Sequence, residues 1–342
     1  MKAIVVHEHG GPEQLRVEDV PEPTVRADEV LVEVRAAALN HLDLWVRNGV
    51  PGHRFPLPII PGCDVAGTVV AVGDVVRNVQ PGDRVAVSPG LSCGTCRACL
   101  SGRDHHCRHY GILGETRDGG YAEYVAVPAA NMIPLPEAIG YAEAACVSLT
   151  FITAWNMLIE RARIRPGQTV LVQGASSGVG SAAIQIARLW GADVIAVSSG
   201  FHKLAHARDL GARWTIDRRE EDVAEAVRRI TDKRGVDVVV EHVGAATWAA
   251  SMKCLARQGT VVTCGATTGP NADINLQHLF FKGLSILGST MGSKGDLLEI
   301  WEHVAADRLE PIVDKTFPFF EAAEAQEYLE KGEQFGKVVL VR

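Results

Sequence analysis

The chain has 342 residues, of which 47% are hydrophobic and 22% are charged. These are the proportions of folded globular proteins, and they exclude an intrinsically disordered chain or a collagen-like fibre. The 34 basic and 41 acidic residues give a net charge of −7, so the sequence lacks the basic excess of proteins that bind nucleic acid. No apolar run reaches the ~20 residues of a membrane-spanning helix, and Met1–Val6 predicts a β-strand rather than a secretory signal. We expect about two domains, a cytoplasmic location and no membrane or nucleic-acid partner.

Short valine-rich runs, separated by glycine and proline, fill residues 1–130. They begin at Glu29, Asp64, Gly82 and Tyr121. Strands of this length between turn residues are typical of a small barrel or sandwich. The N-terminal part is therefore predicted to be β-rich.

From Phe151 onward, apolar strands alternate with helices. Strands are predicted at Thr169–Gln173, Asp193–Val197, Val236–Val240 and Thr260–Cys264, with helical patterns between them. Strands that are apolar on both faces and alternate with helices predict a parallel, doubly wound sheet. We expect three segments: a β-rich domain at 1–150, a doubly wound domain at 151–286, and a segment at 287–342 whose last strand, Lys337–Val341, returns to the first domain.

A glycine-rich turn, Gly174-Ala-Ser-Ser-Gly-Val-Gly180, joins a predicted strand to a predicted helix. This is the context of a dinucleotide fingerprint, in which small residues let the backbone approach a pyrophosphate at a helix N-terminus. The turn departs from a strict G-x-G-x-x-G pattern, because Ala175 and Ser177 stand where the first two glycines would be. The alternative is a tight strand–helix turn without a ligand.

The end of the next strand bears on the choice of dinucleotide. A carboxylate there would bind the ribose 2′-hydroxyl of NAD and repel a 2′-phosphate. The sequence has Ser198, Ser199 and Lys203 in this stretch and no acidic residue. This favours NADPH, with NADH as the alternative because Lys203 can equally be a solvated helix residue.

Four cysteines lie close together at Cys93, Cys96, Cys99 and Cys107. Four thiolates on a short loop close a tetrahedral zinc shell, which is typical of a structural rather than a catalytic site. We predict one structural Zn²⁺ in the lobe formed by residues 93–107; free or disulfide-paired cysteines are the alternative.

Together these features resemble the medium-chain dehydrogenase/reductase superfamily over essentially the whole chain. The resemblance also includes Pro61-Gly-x-Asp-x-x-Gly67 and Gly336-Lys-Val-Val339. It implies an α/β fold with a GroES-like catalytic domain and a Rossmann domain, a small-molecule substrate in the cleft between domains, and a homodimer or homotetramer.

The resemblance also implies where a catalytic zinc would bind in the alcohol dehydrogenase branch. At the positions of its Cys, His and Cys ligands this sequence has Asn40, Cys63 and Leu149, so one soft ligand remains. We expect no catalytic zinc; the alternative is a two-ligand site supplemented by Asp64 or His41. The segments Ala38–Asp43 and Leu149–Trp155 instead resemble the quinone oxidoreductase and enoyl reductase branch.

Four residues are the candidates for catalysis. Asn40 would donate to the substrate or cofactor ribose, or else cap the helix that begins near His41. His41 would feed a proton relay or be an exposed helix residue. Asp43 would orient its neighbours, and Cys63 would line the pocket or be a buried apolar residue.

The candidate dinucleotide contacts follow from the resemblance and from the rule that ligands bind at the carboxyl ends of parallel strands. His242 is either a donor over the nicotinamide or a plain loop residue, and Lys337 would approach the phosphates. The full set is Thr153, Ser177, Gly178, Val179, Ser198, Ser199, Lys203, His242, Gly244, Gly265, Ala266, Thr267, Ser289, Thr290 and Lys337.

Three functional hypotheses follow. The first is an NADPH-dependent reductase of an activated C=C bond (enone, enoyl thioester or quinone) without catalytic zinc. The second is an NAD(P)-dependent alcohol dehydrogenase or carbonyl reductase, and the third is a cofactor-binding structural or regulatory protein without turnover.

Overall fold

The computed structural model describes all residues, 1–342, and the chain divides into two compact units. The first unit consists of Met1–Leu149, Ser293–Trp301 and Pro311–Arg342, and the second of Thr150–Gly292 and Glu302–Glu310. No helix is both long and apolar enough to cross a membrane.

Nine strands and three short helices precede residue 148. They are β1 (Lys2–Val5), β2 (Arg16–Asp19), β3 (Glu29–Ala38), α1 (His41–Asn48), β4 (Asp64–Val72), β5 (Arg84–Val87), β6 (Gly90–Leu91), α2 (Arg97–Leu100), β7 (Gly111–Ile112), β8 (Tyr124–Pro128), β9 (Met132–Pro134) and α3 (Tyr141–Ala145). Single 3₁₀ turns lie at Pro12–Gln14, Asp104–His106 and Ala129–Asn131.

Helices and strands then alternate. The elements are α4 (Ser148–Trp155), a π-helical turn (Asn156–Arg161), β10 (Thr169–Val172), α5 (Gly178–Leu189), β11 (Asp193–Ser198), α6 (Phe201–Asp209), β12 (Trp214–Asp217), α7 (Val223–Ile230), β13 (Val236–Glu241), α8 (Ala245–Cys254), β14 (Leu255–Thr263), α9 (Leu276–Lys282), β15 (Ser285–Gly288), α10 (Lys294–Ala305), β16 (Val313–Pro318), α11 (Ala322–Lys331) and β17 (Lys337–Val341).

The second unit is built on a six-stranded sheet in the order β12-β11-β10-β13-β14-β15, and every neighbouring pair is parallel. The order reverses beside β10, which is the arrangement of a Rossmann fold. Its strands are apolar because helices cover both faces, and Leu171, Ile195 and Val239 are fully buried. This confirms the predicted doubly wound sheet.

The first unit is built on a seven-stranded sheet in the order β16-β17-β3-β4-β5-β9, with β8 also paired to β3. The C-terminal strand β17 therefore lies beside β3 from the N-terminal part of the chain. The register aligns Ala38 of β3 with Asp64 of β4 on one side and with Val339 of β17 on the other. Residues just after β3 and at the starts of β4 and β17 consequently meet at one edge of this sheet.

Candidate functional site

A buried ion pair lies where those three strand ends meet. The Lys337 ammonium donates to Asp64 Oδ2 at 3.0 Å and to Asn40 Oδ1 at 2.5 Å. The Asn40 amide nitrogen in turn donates to the same Asp64 oxygen at 2.9 Å. Exposure is 0% for Asp64, 4% for Lys337 and 6% for Asn40, so each polar group obtains from its neighbours the hydrogen bonds that water no longer supplies. We call Asn40, Cys63, Asp64 and Lys337 the lysine cluster.

The other contacts of the Asn40 amide also remain within the protein. Its nitrogen lies 3.3 Å from Cys63 Sγ and 3.3 Å from the Ala38 carbonyl oxygen. Asn40 is also the N-cap of α1, as one of its two sequence-based alternatives predicted, and its side chain additionally cross-links the lysine cluster.

The contacts of Lys337 differ from the predicted approach of this residue to the cofactor phosphates. Its ammonium is buried in the first unit and engaged with Asp64 and Asn40. A buried ammonium is retained when a carboxylate compensates its charge, and Asp64 does so here. We therefore correct this assignment and place Lys337 in the lysine cluster.

Asp43 ties the first turn of α1 to the residues around it. Its carboxylate accepts from the backbone N–H of Asn40 at 2.7 Å, from the N–H of Gly62 at 3.2 Å and from the Tyr121 hydroxyl at 3.2 Å. Burial raises the pKa of Asp43 to about 6, although the Asn40 N–H and the Lys337 charge act in the opposite direction. These contacts fit the positioning role expected for Asp43 and fix the start of α1, where His41 is partly exposed.

The donor set of the lysine cluster does not fit a catalytic zinc. Asp64 Oδ1 accepts the backbone N–H of Leu149 at 2.9 Å and its Oδ2 accepts from Lys337 and Asn40, so both of its oxygens are already used. Cys63 Sγ lies 3.3 Å from the Asn40 amide nitrogen. A zinc shell requires uncommitted donors, whereas Lys337 already supplies a cation at this place.

The four cysteines at 93, 96, 99 and 107 do fit a zinc ion. Their sulfur atoms all lie within 4.8 Å of one another, and the separations Cys96–Cys99 and Cys93–Cys107 are 3.5 Å. Sulfurs at ~2.3 Å from a tetrahedral zinc lie at about such distances from each other. Backbone N–H groups, first that of Thr95, lower the pKa of Cys93 to about 5. These side chains form the one such group of three or more metal-ligating residues in the structure.

The glycine-rich turn of the second unit has the geometry of an anion-receiving helix start. Ser177 is the N-cap of α5, and its hydroxyl oxygen accepts the N–H of Gly180 at 2.9 Å. Ser177, Gly178 and Val179 are partly exposed. A helix N-terminus with accessible N–H groups favours the binding of a phosphate. The predicted residues Ser177, Gly178 and Val179 therefore lie where they could bind one.

The ends of β11 and β12 lie side by side, with Ser198 opposite Asp217. Both oxygens of Asp217 are engaged by backbone N–H groups, those of Gly200 at 2.8 Å and Arg219 at 3.0 Å. The N–H of Arg219 is also the main cause of the lowered pKa of Asp217. Arg218 and Arg219 are exposed at this edge; neither was among the predicted contacts, because both lie in the turn after β12 rather than after β11.

The loop after β13 is held by a buried carboxylate. Glu241, with 0% exposure, accepts the N–H groups of Val243 and Gly244 at 2.7 and 3.1 Å. It also accepts the hydroxyls of Thr247 and Ser251. The backbone of residues 242–244 is therefore fixed at the carboxyl end of the sheet.

The loop after β15 is braced from the π-helical turn. Asn156 donates to Ser289 Oγ at 3.0 Å and to the Thr290 carbonyl at 3.3 Å, and Arg161 donates to the Gly288 carbonyl at 2.8 Å. Thr153 lies buried one turn earlier, on α4. Gly265, Ala266 and Thr267 follow β14 and complete the set of loops at the carboxyl ends of the strands.

Comparison with known proteins adds the following findings. The family model of the alcohol dehydrogenase GroES-like domain matches residues 26–137, and that of zinc-binding dehydrogenases matches residues 178–306. An NAD-dependent alcohol dehydrogenase of Sulfolobus acidocaldarius is 33% identical and covers 99% of both chains. A crotonyl-CoA carboxylase/reductase of Cereibacter sphaeroides is 32% identical over 99% of this chain and 87% of its own length. The crystal structure of an NAD-dependent alcohol dehydrogenase superposes with a TM-score of 0.97, at 46% identity and 100% coverage of both chains.

Proposed function

Because the chain belongs to the zinc-type medium-chain dehydrogenase/reductase superfamily and is thus an NAD(P)-dependent oxidoreductase, we propose that it reduces an activated C=C bond with NADPH and without a catalytic zinc. The class of substrate is an enone, an enoyl thioester or a quinone. The observation that carries the proposal is the lysine cluster, which occupies the place that the family resemblance gives to the catalytic metal.

The charge that develops in the reaction explains this choice of substrate. Hydride addition to an isolated ketone places a full negative charge on one oxygen, which zinc enzymes stabilise with their metal. Hydride addition to the β-carbon of an enone spreads the charge over an enolate, which hydrogen-bond donors stabilise. When bound, NADPH supplies the hydride; a proton then adds to the α-carbon, so that the alkene gains two hydrogens and the nicotinamide is oxidised.

We assign proton delivery to His41 and positioning to Asn40 and Asp43. His41 is the first residue of α1 and is partly exposed, as proton exchange with a substrate or water requires. Asp43 and Asn40 fix the turn on which His41 stands, through the 2.7 Å hydrogen bond between them. Cys63, with 0% exposure, has a structural role in this scheme.

The preference for NADPH is supported by the charges at the edge formed by β11 and β12. Arg218 and Arg219 are exposed and Lys203 is partly exposed there, and the nearby carboxylate of Asp217 is engaged by backbone N–H groups. Guanidinium groups bind phosphate well. We expect Arg218→Ala and Arg219→Ala to lower kcat/KM with NADPH about tenfold, which corresponds to one charge-assisted hydrogen bond, and to leave kcat/KM with NADH unchanged.

An NAD(P)-dependent alcohol dehydrogenase is the second candidate, and a separate observation favours it. Both the Sulfolobus relative and the solved structure at 46% identity are named NAD-dependent alcohol dehydrogenases. The lobe of four cysteines also resembles that branch. This candidate requires the carbonyl to be polarised by hydrogen-bond donors alone, because the lysine cluster does not fit a zinc.

Incubation of the purified protein with NADPH and 2-cyclohexenone separates the two candidates in one assay. The proposal predicts cyclohexanone, identified by mass and NMR, with loss of activity in His41→Ala. Allylic alcohol as the product would overturn the proposal in favour of carbonyl reduction. His278→Ala, which removes a histidine on α9, serves as the control.

We further infer that the protein is a homodimer or homotetramer in a reducing compartment, the cytoplasm. β15 is the outer strand of its sheet, and next to it Phe280 and Phe281 are 65% and 70% exposed. An open strand edge beside exposed aromatic side chains is typical of a protein interface. Phe280→Asp with Phe281→Asp should lower the mass measured by light scattering, whereas Leu100→Asp, equally exposed but in the cysteine lobe, should not. The spacing of the four lobe cysteines, whose sulfurs lie within 4.8 Å of one another, is typical of a metal site rather than of a disulfide framework and supports a reducing compartment.

A further inference from the structure

His242 lies between the loops at the carboxyl ends of three parallel strands. Its Nε2 atom is 3.2 Å from Ser177 Oγ, in the turn after β10. Its own carbonyl oxygen accepts the Thr267 hydroxyl at 3.3 Å, in the loop after β14. One residue after β13 therefore connects all three loops.

The imidazole ring is pressed against the start of the glycine-rich turn. A Cβ atom on Gly174 would lie 2.8 Å from His242 Cε1 and 3.1 Å from Nε2, closer than side-chain carbons approach one another. Gly174 also has a φ of 56°, in the left-handed region. The turn thus requires glycine at this position for two reasons, and one of them is the ring of His242.

The hydrogen bonds around Ser177 allow its hydroxyl proton to point towards His242. Ser177 Oγ already accepts the N–H of Gly180, so its single hydroxyl proton is free to be donated to His242 Nε2. This direction requires that Nε2 carries no proton and that Nδ1 does. Burial lowers the pKa of His242, although the Glu241 charge raises it, and a neutral ring is the form that accepts this proton.

We propose that His242 is a positioning residue of the dinucleotide site, which accepts the hydroxyl proton of Ser177 and so holds the glycine-rich turn ready for the pyrophosphate. Glu241 supports it, because its carboxylate fixes the backbone that carries the ring. This role concerns dinucleotide binding and is the same for both candidate reactions. A negative result for His242 would therefore leave the proposed C=C reduction untouched.

The substitutions His242→Asn and His242→Gln distinguish a hydrogen-bonding role of His242 from a role in packing alone. The side-chain oxygen of Gln reaches the position of Nε2, whereas that of Asn reaches only the position of Nδ1. We expect His242→Asn to raise the Kd of both NADPH and NADH about fivefold, the effect of one lost hydrogen bond, with kcat unchanged at saturating dinucleotide. His242→Gln should stay within about twofold of the parent protein. His278→Gln, on α9, is the control.

A double-mutant cycle tests whether the two side chains act together. Ser177→Ala should raise the Kd at least about fivefold, since it removes the bond to His242 and also the acceptor of the Gly180 N–H. Addition of His242→Asn to Ser177→Ala should raise the Kd no further, because the bond between the two side chains is already lost. A further rise of about fivefold on that addition would overturn the proposal, as would equal Kd values for the Asn and Gln variants.

The ¹⁵N spectrum of the native apoprotein gives a readout that does not depend on the stability of any His242 variant. The proposal predicts the Nδ1–H tautomer of His242 and a shift of its Nε2 resonance in Ser177→Ala. A proton on Nε2 at neutral pH would contradict it.

Discussion

The two places where the family resemblance implies zinc differ in how they obtain a positive charge. In the cysteine lobe, four sulfurs lie within 4.8 Å of one another, and Cys93 and Leu100 are exposed. In the lysine cluster every member is buried and Lys337 provides the cation. The lobe has little apolar burial of its own, and its four sulfurs could hold a zinc ion that orders it, whereas the polar groups of the lysine cluster satisfy one another. Both sites lie where the family resemblance implies zinc, but only the residues of the lobe fit the metal.

Loss of one lobe cysteine should have the largest effect. Structural zinc contributes on the order of 10 kcal/mol to the folding of small zinc domains. Cys107→Ser should therefore release the metal and make residues 93–107 sensitive to protease, with Cys264→Ser, outside the lobe, as the control. Full zinc retention in Cys107→Ser would refute the assignment of the lobe.

Asp64→Asn tests the lysine cluster. Removal of the carboxylate charge leaves the Lys337 ammonium buried and unpaired, at a cost of about 3–5 kcal/mol in the free energy of unfolding. Urea denaturation measures this cost. A second substitution, Lys337→Met, should restore part of the lost stability because it removes the uncompensated charge. Asp19→Asn is the matched control, since its ion pair with Lys2 at 3.6 Å is exposed and worth less than about 1 kcal/mol.

The Asp43 carboxyl, which lies beside the lysine cluster, should give the free energy of unfolding a pH dependence of its own. Its pKa is about 6 in the folded chain against 3.8 for an unperturbed Asp carboxyl, so the native state holds more protons between these values. Stability due to Asp43 is therefore full below about pH 4 and is lost as the pH rises through about 6, on the order of 3 kcal/mol in total. Asp43→Asn should flatten the unfolding free energy between pH 4 and 7 relative to the parent; identical slopes would refute this.

The smallest effect is expected where the lobe meets the rest of its unit. Asp104 Oδ1 accepts the backbone N–H of Lys294 at 3.0 Å. Asp104→Ala should cost about 1.5 kcal/mol, as for one hydrogen bond to a charged group, and zinc content should not change. Asp104→Asn keeps an acceptor oxygen and should cost less. A loss of zinc in Asp104→Ala would show that this contact, rather than the metal, orders the lobe.

Structural features that depend on a short stretch of sequence can be predicted from the sequence. Contacts that depend on how distant strands pair cannot. The cysteine spacing is sufficient to predict the lobe, and the alternation of strands and helices is sufficient to predict the parallel sheet. Lys337 and Asn40 are 297 residues apart, and only the pairing of β17 with β3 brings them together. The sequence alone assigns Lys337 to the cofactor phosphates, because it does not show that Asn40 and Asp64 lie beside it.

Two further residues are missed for local reasons. Glu241 ends an apolar strand and resembles an ordinary polar strand terminus, although it is fully buried and holds the loop that carries His242. Asn156 begins a π-helical turn, whose apolar pattern differs little from that of the preceding α-helix. Only the three-dimensional contacts with Ser289 and Thr290 show what it supports.

The metal content of the purified protein tests the contrast between the two sites most directly. Elemental analysis should find one zinc per chain, and none in Cys107→Ser. Two zinc ions per chain, one of which remains in Cys107→Ser and is lost in Cys63→Ser, would contradict the account, because a metal would then occupy the position here given to Lys337.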